Sequence, residues 1–291
     1  MTRLAIQLDD RTFAVARDGA VLHSSAAVAF DGTGAEEAGS DAWALQRRVP
    51  THVSTRHLFE VATAREPADR ALAITAAELA RRVTPHLQSG EDAWVAVSAL
   101  FPPAGLSAVL ALARQRGLRF AGFIDSATAS VAALATGRTS FVLEIGLHHV
   151  AVTAVEATAA ARRRRAVVST RGGLVELYES WLDLIGAAMV KRTRYDPLHD
   201  AATEQQLFDA LPKLAGEANT SGGTTAAVTV GAERFETALS RDQFAAAADP
   251  VYREILRALN DLRHAGAAAT ILAPRMVLDM PGLYGDRKSV V

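Results

Sequence analysis

Residues 141–152 read FVLEIGLHHVAV, and this stretch decides the fold. Two apolar runs rich in β-branched residues flank a short turn that keeps a single glycine, Gly146. Runs of this kind around a turn predict a β-hairpin, with strands at 141–147 and 149–156. Backbone N–H groups in a glycine-containing turn can approach a ligand closely, so the turn is also the first candidate for a binding site.

The rest of the chain predicts an α/β fold with an internal repeat, because three strands followed by helices occur twice. Before the hairpin we first expect three strands, around Leu4–Leu8, Phe13–Val15 and Val21–Val28, with a turn at Asp18-Gly19. A helix should then run from the capping box Thr75–Glu78 to about Leu87, followed by a strand at 94–99 and a helix from Pro102 to about Arg116. A strand at 120–124 should lead into a helix that Asp125 caps and that ends near Gly137. After the hairpin we expect a strand at 165–170, a helix from Gly173 to about Thr193, and a second helix at about 200–218 that Pro212 kinks or ends. Short strands should follow at 228–230 and near Phe235. The last elements expected are a helix from the capping box Ser240–Gln243 to about His264 and a buried strand at 269–273.

The composition excludes several classes of function. The 31 basic and 32 acidic residues give a net charge of -1, so no general attraction to nucleic acid or to an anionic membrane is expected. The chain has no cysteine, and neither a signal peptide nor an apolar stretch of membrane-spanning length is recognisable. We therefore expect a cytoplasmic protein without nucleic-acid or membrane partners. The basic run 162–165 is either a nucleic-acid patch or a solvated edge strand, and the lack of interleaved aromatic residues favours the edge strand.

The order of these motifs resembles a known family. The run 92–137 looks like a strand, helix, strand and connecting helix of DnaK-type heat-shock chaperones, and 123–134 (FIDSATASVAAL) is similar to their small-residue connecting motif. FVLEIGLHHVAV stands where their second phosphate loop belongs, Gly172-Gly173 matches a paired glycine beside the nucleotide, and 271–274 resembles their adenosine motif. The chain thus resembles the nucleotide-binding domain of that family, within the superfamily of actin, sugar kinases and heat-shock ATPases.

The resemblance implies an actin-like ATPase fold with two ribonuclease-H-like lobes and a cleft between them. The first lobe is expected at 1–137, with a small peripheral subdomain at about 40–70. The second is expected at 138–291, with a base-side subdomain at about 195–240. ATP or ADP with magnesium is the implied cofactor. No peptide-binding domain is expected after the adenosine motif, and apolar surface near Leu283-Tyr284 is expected to attract a protein partner or a second copy.

The first phosphate turn departs from the family pattern. Gln7 stands where the family has an aspartate that helps to hold magnesium, and Asp9 stands where it has a glycine. A carboxylate aimed at a polyphosphate repels it unless a cation intervenes. Asp9 or Asp10 could hold such a cation in a shifted geometry, or the segment could be an acidic surface turn. Arg11 and Thr12 are the candidate nucleotide contacts of this turn.

The second turn and the base side depart as well. In the second turn Glu144 replaces an aspartate, Gly146 is kept, Leu147 and His148 replace glycines, His149 replaces a hydroxyl residue and Ala151 replaces an acid. His148 and His149 are either phosphate contacts or residues of a rebuilt turn. On the base side Gly172 and Gly173 are kept, Pro274 and Arg275 replace two glycines, and Pro212, Ala215 and Asn219 replace the base-clamp Glu, Lys and Ser. Arg275 could stack on a base.

Three functions remain open from the sequence. The first is a pseudo-ATPase that acts as a binding or assembly module for a protein partner or a homo-oligomer. The second is a divergent magnesium-dependent ATPase, with Glu144, Asp9 and Asp10 as catalytic acids and with Asp9 and Glu144 holding the metal. The third, a small-metabolite kinase, rests on shared architecture alone. No zinc-protease motif, P-loop or nucleophile elbow occurs.

Overall fold

A computed structural model describes residues 4–30, 36–63, 69–88, 90–134, 139–263 and 270–283. In the N-terminal half the strands are β1 Ala5–Leu8, β2 Thr12–Arg17, β3 Ala20–Ser25, β4 Val28–Phe30, β5 Glu36–Ala38, β6 Val53–Ser54, β7 Ala93–Val97 and β8 Phe120–Asp125. The helices there are α1 Ser40–Trp43, α2 His57–Ala62, α3 Asp69–Val83, α4 Pro103–Gln115 and α5 Ser126–Leu134, with 3-10 turns at Pro50–His52 and Thr84–His86.

In the C-terminal half the strands are β9 Ser140–Ile145, β10 Val150–Ala157, β11 Ala161–Ser169, β12 Gly223–Val230, β13 Glu233–Ser240 and β14 Thr270–Leu272. The helices are α6 Leu174–Thr193, α7 Ala201–Ser221 and α8 Arg241–Leu262, and a 3-10 turn covers Arg275–Asp279. No helix within the described residues is long and apolar enough to cross a membrane.

Two mixed sheets form the framework, and they share one topology. The first has the order β3-β2-β1-β7-β8, and the second has the order β11-β10-β9-β14. In the first sheet, β1 pairs antiparallel with β2 and parallel with β7, and β3 lies at one edge. In the second sheet, β9 pairs antiparallel with β10 and parallel with β14, and β11 lies at one edge. This is the internal repeat that the sequence predicts. It places the turn between β1 and β2 and the turn between β9 and β10 at equivalent positions.

Each sheet has its own apolar core, and α5 lies between them. Leu4, Phe13 and Leu58 are fully buried in the first core, and Trp181 and Phe208 in the second. In α5, Ala127 and Val131 pack on Val142 and Val155 of the second sheet, while the start of the helix follows β8 of the first. Asp125 Oδ1 accepts the Thr128 N–H at 2.8 Å, which confirms the predicted cap. The small residues of the connecting motif therefore let a helix fit closely against the second sheet.

The predicted capping box at Thr75–Glu78 is wrong, because both residues lie inside α3. The Thr75 hydroxyl donates to the Ala71 carbonyl, four residues back, at 2.9 Å. Glu78 instead accepts hydrogen bonds from Arg81 and Arg82, each at 2.6 Å. A threonine hydroxyl can bond to a carbonyl inside a helix as well as to an N–H at its start, so the same spacing fits both positions.

The alternative that Pro212 ends the helix is also wrong, since α7 runs through it. Pro212 is exposed, and the buried residues Leu211 and Leu214 anchor the helix on both sides of it. Burying these side chains offsets the backbone hydrogen bond that proline cannot make. The capping box at Ser240 and Gln243 is confirmed, with both of its hydrogen bonds present.

Four smaller expectations about the edges have mixed outcomes. Val21 and Val28 belong to different strands, because β4 leaves the first sheet and forms a small sheet with β5 and β6. The last strand is not buried, since Thr270 and Ile271 are exposed. The basic run 162–165 does lie on the exposed edge strand β11. Leu283 packs against the second core, and Tyr284 lies outside the described residues.

Candidate functional site

The two equivalent turns meet, and the carboxylate of Asp10 lies between them. Oδ1 of Asp10 accepts the Leu147 N–H at 3.0 Å, and Oδ2 accepts the His148 N–H at 2.9 Å. Asp10 has no exposed surface. Successive backbone N–H groups in a turn form a concave site for an anion. In this protein the anion is a side chain of the chain itself, supplied from 137 residues away.

His149 provides the positive charge next to this carboxylate. Its Nδ1 lies 3.3 Å from Oδ1 of Asp10, within ion-pair distance but without hydrogen-bond alignment. Burial raises the pKa of Asp10, but the His149 charge and the turn N–H groups outweigh it and leave the pKa lowered. Burial lowers the pKa of His149, but Asp10 outweighs it and leaves the pKa raised. Both shifts favour the ionised pair.

Glycine is required where the two turns approach each other. A Cβ on Gly146 would lie 2.2 Å from Oδ1 of Asp10 and equally close to the His149 ring. A Cβ on Gly173 would lie 2.3 Å from the Leu147 carbonyl oxygen. Gly172, in contrast, has a positive φ of 81° and faces Glu254 of α8. Gly146 and Gly173 thus permit the close contact that holds the Asp10 carboxylate.

Asp9 stabilises its own turn. Its Oδ1 accepts the N–H groups of Arg11 at 2.8 Å and of Thr12 at 2.7 Å. An aspartate that bonds to the backbone two and three residues ahead closes a turn of the Asx type. Burial raises the pKa of this carboxyl. The Asp9 carboxylate therefore helps to form the turn of the first hairpin.

Glu144 is enclosed by hydroxyl and amide donors. Its Oε2 accepts from Ser98 Oγ at 3.2 Å and from the Ala99 N–H at 3.3 Å, and its Oε1 accepts from Ser126 Oγ. Burial raises the pKa of Glu144. A cavity of about 270 Å³ borders Glu144, Ser126 and Gln7. The lining of this cavity combines the carboxyl group and several hydroxyl groups with apolar side chains such as Val142 and Leu272.

Ser98, His149 and Asp10 form a polar chain, with 3.3 Å between Ser98 Oγ and His149 Nε2. The order resembles a nucleophile, a base and an orienting acid. However, Ser98 donates to Glu144, and His149 Nδ1 is not aligned with Asp10. The raised pKa of His149 also disfavours the neutral imidazole that a general base needs. The chain of side chains fits a buried polar contact better than a hydrolase triad.

Arg11 extends from the first turn across to the second half of the protein. Its Nη1 lies 3.0 Å from the sulfur of Met276, and its Nε is buried without a hydrogen-bond partner among the described residues. Arg11 borders the cavity of about 270 Å³ on one side and a second cavity, of about 320 Å³, on the other. Thr12 borders only the second. The Arg11 side chain thus divides the space between the two halves.

A contact outside these turns, which the sequence did not reveal, joins the two halves at Arg47. The Arg47 N–H donates to Gln205 Oε1 at 2.8 Å, and its guanidinium pairs with Glu204 and Glu179. The same guanidinium lies 4.6 Å from the centre of the Phe208 ring. Trp43 packs on that ring with centroids 5.2 Å apart. These contacts therefore hold the segment after α1 against α6 and α7.

Besides Gly172, two of the predicted nucleotide contacts have side chains that lie elsewhere. The His148 side chain lies against α2 and the residues just before it. Its Nε2 is 3.2 Å from Thr55 Oγ1, and the centre of its ring is 5.6 Å from the centre of the Phe59 ring. Arg275 is exposed, and neither cavity that Arg11 borders has it among its described lining residues. Pro212 and Ala215 border a smaller space of about 60 Å³ beside Met276. The predicted contacts are thus brought together only at the two turns, by Asp9, Asp10, Arg11, Thr12, Gly146, His149 and Gly173.

The acids of the site do not fit a magnesium ion. Magnesium requires near-octahedral oxygen ligands and usually keeps several waters. Asp9 and Asp10 already accept backbone N–H groups, and Glu144 accepts from two serines and an amide. Across the described ranges, no group of three or more potential metal ligands occurs. These carboxylates are therefore engaged in hydrogen bonds of the fold and are not arranged as magnesium ligands.

A buried histidine next to this region predicts a dependence of stability on pH. His57 bonds Ser54 and Thr75, and burial lowers its pKa to about 4 from an ordinary 6.5. The unfolded chain binds the proton first, so this contribution is present above pH 6.5 and is lost as pH falls toward 4. We expect urea titrations at pH 6.5 and pH 5 to show a loss about 1–2 kcal/mol larger for wild type than for His57→Gln. Equal losses would contradict the lowered pKa.

Sequence comparisons add no relative. No protein-family model matches the chain, and no curated protein matches it significantly. The assignment of a function therefore depends on the geometry of the two turns.

Proposed function

We propose that the chain is a DnaK-like protein of the actin-like ATPase fold, with two ribonuclease-H-like lobes, that does not hydrolyse ATP and acts as a binding or assembly module. The shared strand order of the two sheets supports the two-lobe architecture. The observation that carries the functional part is the Asp10 carboxylate on the N–H groups of Leu147 and His148.

These N–H groups are the donors that a phosphate in the second turn would need. A phosphate could reach them only by displacing Asp10 and leaving a buried carboxylate without its partners. Breaking a buried ion pair by removing one partner costs about 3–5 kcal/mol. A phosphate beside the displaced carboxylate would also be repelled by it. The site therefore disfavours a nucleotide in the position that the family resemblance implies.

The contacts at Arg47 support the role of a module. They involve Glu179, Glu204 and Gln205 on two helices of the second half. A network of charges around one largely buried arginine fixes orientation better than an isolated surface pair. We propose that the network keeps the two lobes in one arrangement, so that the protein offers the same surface to a binding partner. A protein partner, a second copy of the chain and a cytoplasmic location remain predictions.

Calorimetry with Mg-ATP and Mg-ADP, combined with a phosphate-release assay, tests the proposal. We expect no saturable heat at micromolar concentrations and no phosphate release above background. Micromolar binding together with turnover would contradict it. Inorganic phosphate serves as the control ligand, because it tests the second turn without a base or sugar.

The competing function is a divergent ATPase that uses Glu144 with Asp9 or Asp10. The cavity of about 270 Å³ beside Glu144 favours it, because a carboxyl group there borders open space. It predicts measurable turnover that Glu144→Ala abolishes. If wild type and Glu144→Ala were equally inactive, this function would be excluded.

A further inference from the structure

The cavity of about 320 Å³ between the lobes has a cationic wall and an aromatic wall. Arg11 contributes the cation, and hydroxyl groups of Thr12 and Ser40 lie with it. Trp43 and Tyr178 contribute aromatic surface to the same cavity, and Leu147, Leu174 and Met276 contribute further apolar surface. Pockets for small ligands are typically apolar clefts of this size with a few polar groups that fix orientation.

The guanidinium of Arg11 acts on the pKa of the Asp9 carboxyl through its charge, but it makes no close ion pair among the described residues. No carboxylate within the described part of the chain lies at ion-pair distance from it, and its nearest acceptor is the weakly accepting sulfur of Met276. Its Nε is buried and unbonded among those residues. A partly buried cation that makes no close ion pair leaves its donors free, and a carboxylate placed against the guanidinium would form strong charge-assisted hydrogen bonds with it.

The two cavities that Arg11 borders differ in charge. The cavity of about 270 Å³ contains the carboxyl groups of Asp9 and Glu144. Around the cavity of about 320 Å³, the described lining residues include no acid, and the groups able to carry charge are Arg11 and His23. An anion is therefore favoured in the larger cavity, which also has the aromatic wall.

We propose that this cavity binds a small organic anion, a carboxylate with a flat aromatic body. The carboxylate pairs with the Arg11 guanidinium, and the ring lies against Trp43 and Tyr178. Trp43 comes from the first lobe and Tyr178 from the second, so the ligand contacts both lobes at once. The site does not use the Leu147 and His148 N–H groups, so it does not depend on displacing Asp10.

Titration with indole-3-acetate tests this site, with acetate and the neutral indole-3-ethanol as matched controls. We expect one saturable site for indole-3-acetate and binding at least about tenfold weaker for both controls, because each lacks one half of the recognition. No saturable binding of indole-3-acetate, or equal binding of indole-3-ethanol, would overturn the proposal.

Two variants assign the binding to this cavity. Arg11→Gln is expected to weaken indole-3-acetate by about 10- to 100-fold, the loss of a charge-assisted contact. Arg48→Gln, which removes an exposed arginine nearby, is expected to leave the affinity unchanged. If Arg11→Gln does not fold, Ser40→Trp is the variant that tests whether indole-3-acetate binds in this cavity. Residue 40 is exposed at the cavity, and a bulky side chain there blocks it. Unchanged affinity in the folded cavity variants would overturn the proposal, whatever the result of the ATP experiments.

Discussion

Replacing Asp10 with alanine is expected to lower the free energy of unfolding by about 3–5 kcal/mol. The substitution removes the acceptor of two buried N–H groups and leaves His149 as a buried base without its counter-charge. Urea denaturation followed by circular dichroism measures the loss. Asp183→Ala is the matched control, because Asp183 is an exposed acid in the middle of α6, and its removal is expected to change stability by less than about 0.5 kcal/mol.

The effect should depend on pH in a defined way. The lowered pKa of Asp10 stabilises the fold above its ordinary value of 3.8, and this contribution is lost as pH falls through the folded value. The raised pKa of His149 stabilises the fold below its ordinary value of 6.5 and is lost as pH rises through the folded value. The difference between wild type and Asp10→Ala should therefore be largest between these two values. A loss equal to that of Asp183→Ala at every pH would contradict the ion pair.

Replacing Gly173 with alanine is expected to destabilise the protein by about 3 kcal/mol, at the upper end for overpacking. Its φ of -74° suits alanine, so the penalty comes from contact alone. The new Cβ would lie 2.3 Å from the Leu147 carbonyl oxygen and 2.7 Å from the His149 nitrogen. These are backbone atoms of the turn that holds Asp10, so relief requires the turn itself to move.

Gly216→Ala is the control for this substitution. Gly216 lies inside α7, and a Cβ there meets nothing closer than 3.9 Å. Alanine favours the helix over glycine by about 0.5–1 kcal/mol, so this variant should be more stable than wild type. Thermal and urea denaturation of both variants give the comparison. Equal and small effects would show that the turn adapts easily and would weaken the account of a fixed Asp10 site.

The framework could be predicted from the sequence because it depends on local patterns. Alternation around Gly146 and the turn at Asp18-Gly19 gave the hairpins, and the order of strands and helices gave the repeat. Thr75 shows the limit of such patterns, because a hydroxyl residue followed by a glutamate fits a helix interior as well as a helix start.

The arrangement of the site could not be read from the sequence, because it depends on distant pairs. Gln7 and Asp9 depart from the pattern of the family that the sequence resembles, and this indicated a changed first turn. Nothing local showed that the neighbouring Asp10 reaches the N–H groups of a turn 137 residues away. Arg47 is similar, since Glu179 is 132 residues and Gln205 is 158 residues from it. Arginine and glutamate are too common for such pairing to stand out.

The most direct test of the central claim is to follow the backbone amide resonances of Leu147 and His148 by NMR during titration with Mg-ATP. If Asp10 holds these N–H groups, both resonances should stay unchanged at micromolar nucleotide and should move only as acid titrates the Asp10 carboxylate. A saturable shift of both resonances at micromolar Mg-ATP would contradict the account, because it would show that a phosphate takes the place assigned to Asp10.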